Sequence, residues 1–470
     1  MHIRSSRAAA RPSLRAIGPF LAVVALFLAT RTALLLFTVR EREFVLPSVT
    51  NDVRDIYSRW YDVLSTGQFP EHDVMWQYPP AAALVILAPG LLPLSYAVGF
   101  YWISFTVDVI TFGVLLAAAR RRMVEDEVAY ASGAAVAPTG RWAWARHQPW
   151  AAWVWTVGVA LGGPIAYGRY DLIVTGVAVA GLVLLLSADA NPLDGRNRRW
   201  AGGAVLAFGA LLKVWPALLF LCAGPGRRWK ESWAAAVVAG SLILLGFWVT
   251  MPHSMSFLSA QGGRGVEVES IAALPFHIAS HHGWSGYVAL NYGSMEYLGP
   301  HVNLAAKLCL LASALAFGWL VLWRLTARTW RDSTTADAAL VAVLLFVITS
   351  RVISPQYMVW LVGLGAVCAL HFGPRGTSLM RLPLALVLVA TALTCIEYPY
   401  WFDELLNAER EAVLLVTVRN VLLVAAAVIG ASRLWRSTRA PAGGQTAGGS
   451  LRVLVAQAGS RSRSQEMSAP

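Results

Sequence analysis

The sequence predicts an all-α polytopic membrane protein, with about ten full transmembrane helices, a broken-helix hairpin and one outer juxtamembrane helix. Three observations predict it. Of 470 residues, 57% are apolar and only 14% are charged, where a soluble domain carries roughly 25% charged residues. Apolar runs long enough to cross a hydrocarbon layer of about 30 Å recur along the chain. The net charge of +12 comes from Lys and Arg in short clusters between those runs, a pattern of membrane topology and not of a nucleic-acid-binding face. These features argue against a soluble enzyme, a disordered chain and a disulfide scaffold, and no nucleic-acid partner is expected. Cys222, Cys309, Cys368 and Cys395 each lie inside an apolar run without C-x-x-C spacing and read as core residues.

Keeping the basic loops inside gives each element its place. Ala16 to Phe37 follows a basic N-terminus and exceeds a signal-peptide core, so it reads as an uncleaved first span with its N-terminus in the cytoplasm. Residues 41–78 then form the first large outer loop. Pro79 to Leu94, interrupted by Pro79, Pro80, Pro89 and Pro93, suits a helix on the outer surface. Tyr96 to Ala119 crosses inward to Arg120, Arg121 and Arg122. Trp150 to Ile165 goes out and Leu172 to Leu186 returns, with Tyr167-Gly168-Arg169-Tyr170-Asp171 as the outer turn. Ala201 to Cys222 is broken at Lys213-Val214-Trp215-Pro216 and reads as two half-helices entering and leaving on the cytoplasmic side. Ala234 to Thr250 exits into the second outer loop, residues 251–300. Leu304 to Trp323, Ala338 to Thr349, Tyr357 to Leu370, Leu382 to Ile396 and Val413 to Ile429 then alternate. Residues 1–432 form the membrane domain, and 433–470, rich in Gly, Ser, Ala and Arg, are expected to be a disordered cytoplasmic tail.

On this path the polar residues able to do chemistry collect at the outer face of the plasma membrane. They are Asp52, Asp55, Asp62, Glu71, His72 and Asp73 in the first loop, and Arg169 and Asp171 in the short turn. The second loop adds Arg264, Glu267, Glu269, His277, His281 and His282, and a third outer turn adds Arg351 and Gln356. A site there suits a substrate that is part lipid and part sugar or phosphate. Nucleotide donors are excluded, because their pools are cytoplasmic and no Gly-rich phosphate loop opens a helix.

Several stretches, in this order, are specific in combination: Asn51-Asp52-Val53-Arg54-Asp55-Ile56-Tyr57, Gly67-Gln68-Phe69-Pro70, Trp76-Gln77-Tyr78-Pro79-Pro80, Lys213-Val214-Trp215-Pro216, Arg264-Gly265-Val266-Glu267-Val268-Glu269-Ser270 and Ser354-Pro355-Gln356-Tyr357. From the first span to about Trp360 the chain resembles glycosyltransferase family 87, membrane enzymes of the GT-C fold typified by actinobacterial mannosyltransferases. The resemblance implies that a sugar is taken from a polyprenyl phosphate and passed to an acceptor hydroxyl on the outer side, and that Asp52 stands at the place of the shared acid. Elementary chemistry agrees. An inverting transfer needs a carboxylate to accept the hydroxyl proton as that oxygen attacks the anomeric carbon. The departing polyprenyl phosphate is a weak base and needs cations more than a proton. One departure matters: relatives resembling the phosphatidylinositol mannoside enzyme carry a His-His pair shortly after the Ser-Pro, where this chain has Gln356, Tyr357 and Met358. Arg264, Lys213 and Arg351 therefore replace histidine as expected phosphate ligands.

Each candidate has a plainer alternative. Asp52 is the expected base, against a helix cap in a solvated loop. Asp55, one turn on, orients the acceptor or is merely solvated. Asp52-x-x-Asp55 suggests a divalent ion, but two carboxylates without other ligands make a thin metal site, so no cofactor is expected. Lys213 meets an anion or snorkels to an interface, and Asp108, inside a span, needs a partner. Arg264, Glu267, Glu269 and Gln356 are expected substrate-binding residues, as is Arg351. His277 is expected to bind substrate, against a plain loop histidine. Trp60 and Trp76 are the two tryptophans placed to stack on sugar; the rest fit an interfacial belt.

The expected function is inverting transfer of a sugar, mannose first, from a polyprenyl-phosphate-linked donor to a lipid-linked cell-envelope glycan, with the active site extracytoplasmic and membrane lipids around it. A polyprenyl-phosphate-arabinose donor is the alternative within enzymes. A flippase for lipid-linked sugars is the alternative from another class, and the missing internal repeat argues against it.

Overall fold

The computed structural model describes residues 14–40, 49–137, 139–188, 194–258 and 264–439. In chain order the helices are α1 (Leu14–Val39), α2 (Ser58–Ser65), α3 (Ala82–Leu87), α4 (Tyr96–Ala131), α5 (Trp150–Gly162), α6 (Asp171–Leu186), α7 (Gly195–Leu212), α8 (Leu219–Cys222), α9 (Arg227–Thr250), α10 (Leu274–Ser280), α11 (Val302–Thr326), α12 (Thr334–Thr349), α13 (Tyr357–Ala369), α14 (Arg381–Glu397), α15 (Phe402–Leu406) and α16 (Arg410–Arg439). A π-helical turn, Asp52–Tyr57, precedes α2.

Two kinds of membrane helix make the bundle. α1, α4, α9, α11 and α16 are long and apolar, and only 17% to 39% of their apolar stretch is buried in protein. Their outward residues, such as Leu28, Leu242, Trp248, Leu310 and Val421, form the exposed apolar surface that lipid tails cover. α5, α6, α12 and α13 sit inside and are apolar on every side, the composition of helices enclosed by other helices. α13 lies between α5 and α6, and α7 packs between α6 and α9. With 13 to 16 residues, the inner helices reach only about 20–24 Å, short of the roughly 30 Å apolar layer. Their polar end-turns therefore lie below the level reached by the long helices, and a cavity fills the difference.

The predicted alternation holds at both ends. Arg121 and Arg122 from α4, Arg228 from α9, Asp332 from the α11–α12 connection and His371 after α13 surround one cavity of about 350 Å³; Arg199, Arg227 and Arg331 line a neighbour of about 550 Å³. Arg122 pairs with Asp332 at 3.5 Å. The first loop, the α5–α6 turn, the second loop and the α12–α13 turn meet at the other end.

Four details differ from the sequence reading. The hairpin is one 18-residue helix, α7, broken at Lys213 and returning through a single 3-10 turn and α8, not two equal halves. The second large loop contains a three-stranded antiparallel sheet, β1 (Val266–Glu267), β2 (Tyr287–Asn291) and β3 (Ser294–Leu298), in the order β1-β3-β2. α4 continues twelve residues past Ala119, to Ala131. The boundary expected at 433 falls inside α16, which runs to Arg439, because Leu434 is buried and continues its apolar stripe. The rest of the expected tail, 440–470, lies outside the described residues, as do 1–13, 41–48 and 259–263.

Candidate active site

Between the first loop, the α5–α6 turn, the Lys213 break, the sheet and the α12–α13 turn lies a cavity of about 400 Å³. Asp52 enters it from the π turn, whose Val53 and Tyr57 face the core. The carboxylate meets the Arg169 guanidinium at 3.0 Å and keeps 27% of its side-chain surface exposed. Burial raises its pKa above the ordinary carboxylate range; Arg169 opposes that rise, and Asp171 and Asp55 add to it. A base tuned upward binds the proton it takes more firmly.

The α5–α6 turn supplies Arg169 to the cavity wall and anchors the groups around it. Tyr167 donates its hydroxyl to Asp108 at 2.7 Å, Tyr170 donates to the Leu212 carbonyl at 3.3 Å, Arg169 faces Asp52, and Asp171 accepts from Lys213 and from the Trp360 indole, each at 2.7 Å. Gly168 is required here, since a Cβ at this position would stand 2.6 Å from the Val49 carbonyl oxygen. The turn thus docks tightly on the segment that carries Asp52.

Lys213 occupies the α7 break, where an extended backbone directs its side chain into the cavity. Its ammonium lies between the rings of Tyr78, Tyr170, Tyr357 and Trp360, at 5.7, 5.3, 5.4 and 5.0 Å from their centroids. Ring faces and Asp171 hold the cation without closing all three of its donors. Tyr357 stacks on Trp360 at 3.9 Å.

The second loop closes the other wall. Arg264 donates to Glu296 at 2.7 Å, to the Gln77 side-chain oxygen at 2.9 Å and to Ser294 at 2.8 Å. Its guanidinium therefore ties the sheet to the first loop at the cavity wall. Arg351 donates to the Arg264 carbonyl at 3.1 Å. Glu267 accepts from the Ile353 amide and from Ser354. Glu269 is buried near Glu397 and Arg419, and burial together with the Glu397 charge pushes its pKa well up.

Asp52, Lys213, Arg264, Glu267, Glu269, Arg351 and Gln356 all line the cavity; Asp55 and His277 do not. Asp55 is exposed. In a π turn, with its i→i+5 bonding, residue i+3 swings off the face of residue i, and Ile56 lines the cavity in its stead. His277 is 1% exposed, donating from Nε2 to the Val268 carbonyl at 2.7 Å and meeting the Tyr297 hydroxyl through Nδ1 at 2.8 Å. It belongs to the small core under the sheet, and burial lowers its pKa. Trp60 lines the cavity but gives its indole N–H to Asp73 at 2.8 Å, and Trp76 lies behind it, edge-on. Tyr78 and Tyr398 are cavity residues that sequence reasoning did not place in the site, and Arg169, counted among the outer polar residues, was given no role there. A charged turn between two apolar helices was the available signal for Arg169.

The cavity shares no lining residue with the two arginine-lined cavities at the opposite end. A polar cavity holding a carboxylate and adjacent cations, sunk into a polytopic helical bundle, fits a membrane-embedded group-transfer enzyme. Residues 76–355 match glycosyltransferase family 87. The chain belongs to that family, and its architecture is the polytopic helical one that the resemblance implied. Asp52 lies before the matched segment, so its place in the site rests on the geometry. No curated protein matches the chain. Two solved structures of ArnT from Cupriavidus metallidurans are similar to it. The one bound to undecaprenyl phosphate has 14% identity over 89% of this chain and 78% of ArnT, and the apo form has 13% identity over 90% and 78%; the TM-score is 0.45 for both.

Proposed function

We propose that this glycosyltransferase moves a sugar, mannose in the first instance, from a polyprenyl phosphate to a hydroxyl of a lipid-linked glycan, with inversion and at the extracytoplasmic face. The observation that carries the reading is Asp52, a carboxylate open to the cavity with Arg169 beside it and Lys213 across the α5–α6 turn. The acceptor oxygen attacks the anomeric carbon while Asp52 takes its proton, and the bond from that carbon to the phosphate oxygen breaks. The phosphate leaves with the bonding electron pair. Lys213 and Arg169 stabilise the charge it gains, and the recessed, low-dielectric cavity strengthens that effect. The outward orientation rests on the arginine-rich end being cytoplasmic. Mannose and the lipid-linked acceptor rest on the family-like stretches. The lack of any shared wall between the cavities at the two ends supports transfer over flipping.

Purified protein in proteoliposomes, given labelled polyprenyl-phosphate-mannose or polyprenyl-phosphate-arabinose with a glycolipid acceptor extract, tests this. Mannose label should appear in the acceptor. Arabinose label appearing instead would change the sugar, and label crossing the bilayer without transfer would reverse the reading in favour of a flippase. For orientation, Asp55→Cys should react with a membrane-impermeant thiol reagent on intact cells; reaction only after lysis would place the loop inside.

A further inference from the structure

The hairpin over the cavity carries a residue that its turn does not favour. β2 and β3 are joined by Tyr292 and Gly293, with Asn291 and Ser294 paired on either side. Their φ angles are 49° and 76°, the two-residue turn in which both central positions are left-handed and which selects Asn-Gly or Asp-Gly. Gly293 fits. Tyr292 is a bulky L-residue held in a region such residues avoid. The tip cannot relax, because Gln77 donates to the Tyr292 carbonyl at 3.1 Å, and Arg264 grips both Gln77 and Ser294.

For turn stability alone Asn is the better residue at this position. What tyrosine adds is a ring at the cavity wall: Tyr292, half-buried, lines the same cavity as Arg351. An aromatic face beside a fixed cationic donor is matched to a sugar ring, with C–H groups on the aromatic face and hydroxyls toward the guanidinium. Asp52, Arg169 and Lys213 come from the first loop, the α5–α6 turn and the α7 break, whereas this pair comes from the second loop and the α12–α13 turn.

We propose that Tyr292, with Arg351, is the platform that receives the terminal sugar of the glycan acceptor, and that the strained turn is kept for that ring. The proposal rests on the transferase reading for the word acceptor, but not for the sugar site itself. The test uses the full chain in lipid nanodiscs and two probes, octyl α-mannoside and octyl α-arabinofuranoside, below their micellar concentrations. The wild type should bind at least one of them. Tyr292→Asn should weaken that binding about tenfold, the loss of one stacking contact, while its melting temperature stays equal or rises. Tyr292→Phe should keep the affinity within about threefold, and Tyr292→Gly, which the turn also accepts, should behave like Tyr292→Asn. In transfer assays the acceptor KM should rise with the donor KM unchanged. Equal binding by wild type and Tyr292→Asn, or no binding of either probe by the wild type, overturns the platform. Retained probe binding with no transfer from any polyprenyl-phosphate sugar overturns the transferase reading instead and leaves the platform standing.

Discussion

Asp108 and Asp52 each face an arginine, and the same α5–α6 turn touches both. Asp108 is fully buried and accepts from Arg31 at 2.9 and 3.4 Å, from the Trp155 indole at 2.7 Å and from the Tyr167 hydroxyl at 2.7 Å. Its oxygens are occupied by donors whose own positions are fixed, so it can take no ligand without breaking the packing of α1, α4 and α5. Among the described residues, Asp52 has one ion-pair partner, Arg169, and otherwise faces the cavity. Two carboxylate–guanidinium pairs in one protein thus differ in free valence. The closed pair holds helices together and the open pair is available for chemistry.

That contrast yields a ranked set of outcomes. Asp52→Asn should lower transfer by about 10²–10⁴-fold, the usual contribution of a positioned base, with an unchanged melting temperature and unchanged donor binding. Asp108→Asn should do the reverse, destabilising the protein by about 3–5 kcal/mol by leaving Arg31 uncompensated; thermal unfolding in detergent would show it, and activity per folded molecule would survive. Lys213→Met should raise the donor KM about tenfold, as the loss of one charge-assisted contact to phosphate, with the acceptor KM unmoved. The smallest effect belongs to Asp55→Asn, which is exposed and off the cavity face: stability within about ±0.5 kcal/mol and transfer at the wild-type rate. A large loss there would mean that the π turn is not the conformation of the working enzyme.

Much of this arrangement is legible in the sequence because loop charge and apolar length are local properties. The same alternation that places Arg121 and Arg122 at one end places Asp52, Glu267 and Arg351 at the other. Lys213 is conspicuous as a charge in an apolar run beside a proline, and it does reach the cavity. What is not legible depends on geometry that residue types do not encode. Asp55 reads as sharing a face with Asp52 if the turn is α-helical, and the π turn removes it. His277 reads as a loop histidine, and its burial under Tyr297 appears only once the second loop is known to contain a sheet. That sheet left a signal, an apolar run before Tyr292-Gly293 and alternating Met295 and Tyr297 after it, but a tyrosine in the position of Asn hides the hairpin. Arg169 was visible as a charge in the outer turn, but its pairing with Asp52 joins residues far apart in the chain.

The central claim is that Asp52 ionises as the base with Arg169 as its neighbouring cation. The pH dependence of kcat/KM tests it most directly. The base must be deprotonated, so activity falls as pH drops through its pKa. Burial places that acid limb above the ordinary carboxylate value of about 3.9. Arg169 lowers the Asp52 pKa, so Arg169→Gln should move the limb to higher pH, whatever it does to the maximal rate. An acid limb at the same pH in wild type and Arg169→Gln would contradict the account and assign the proton to another group.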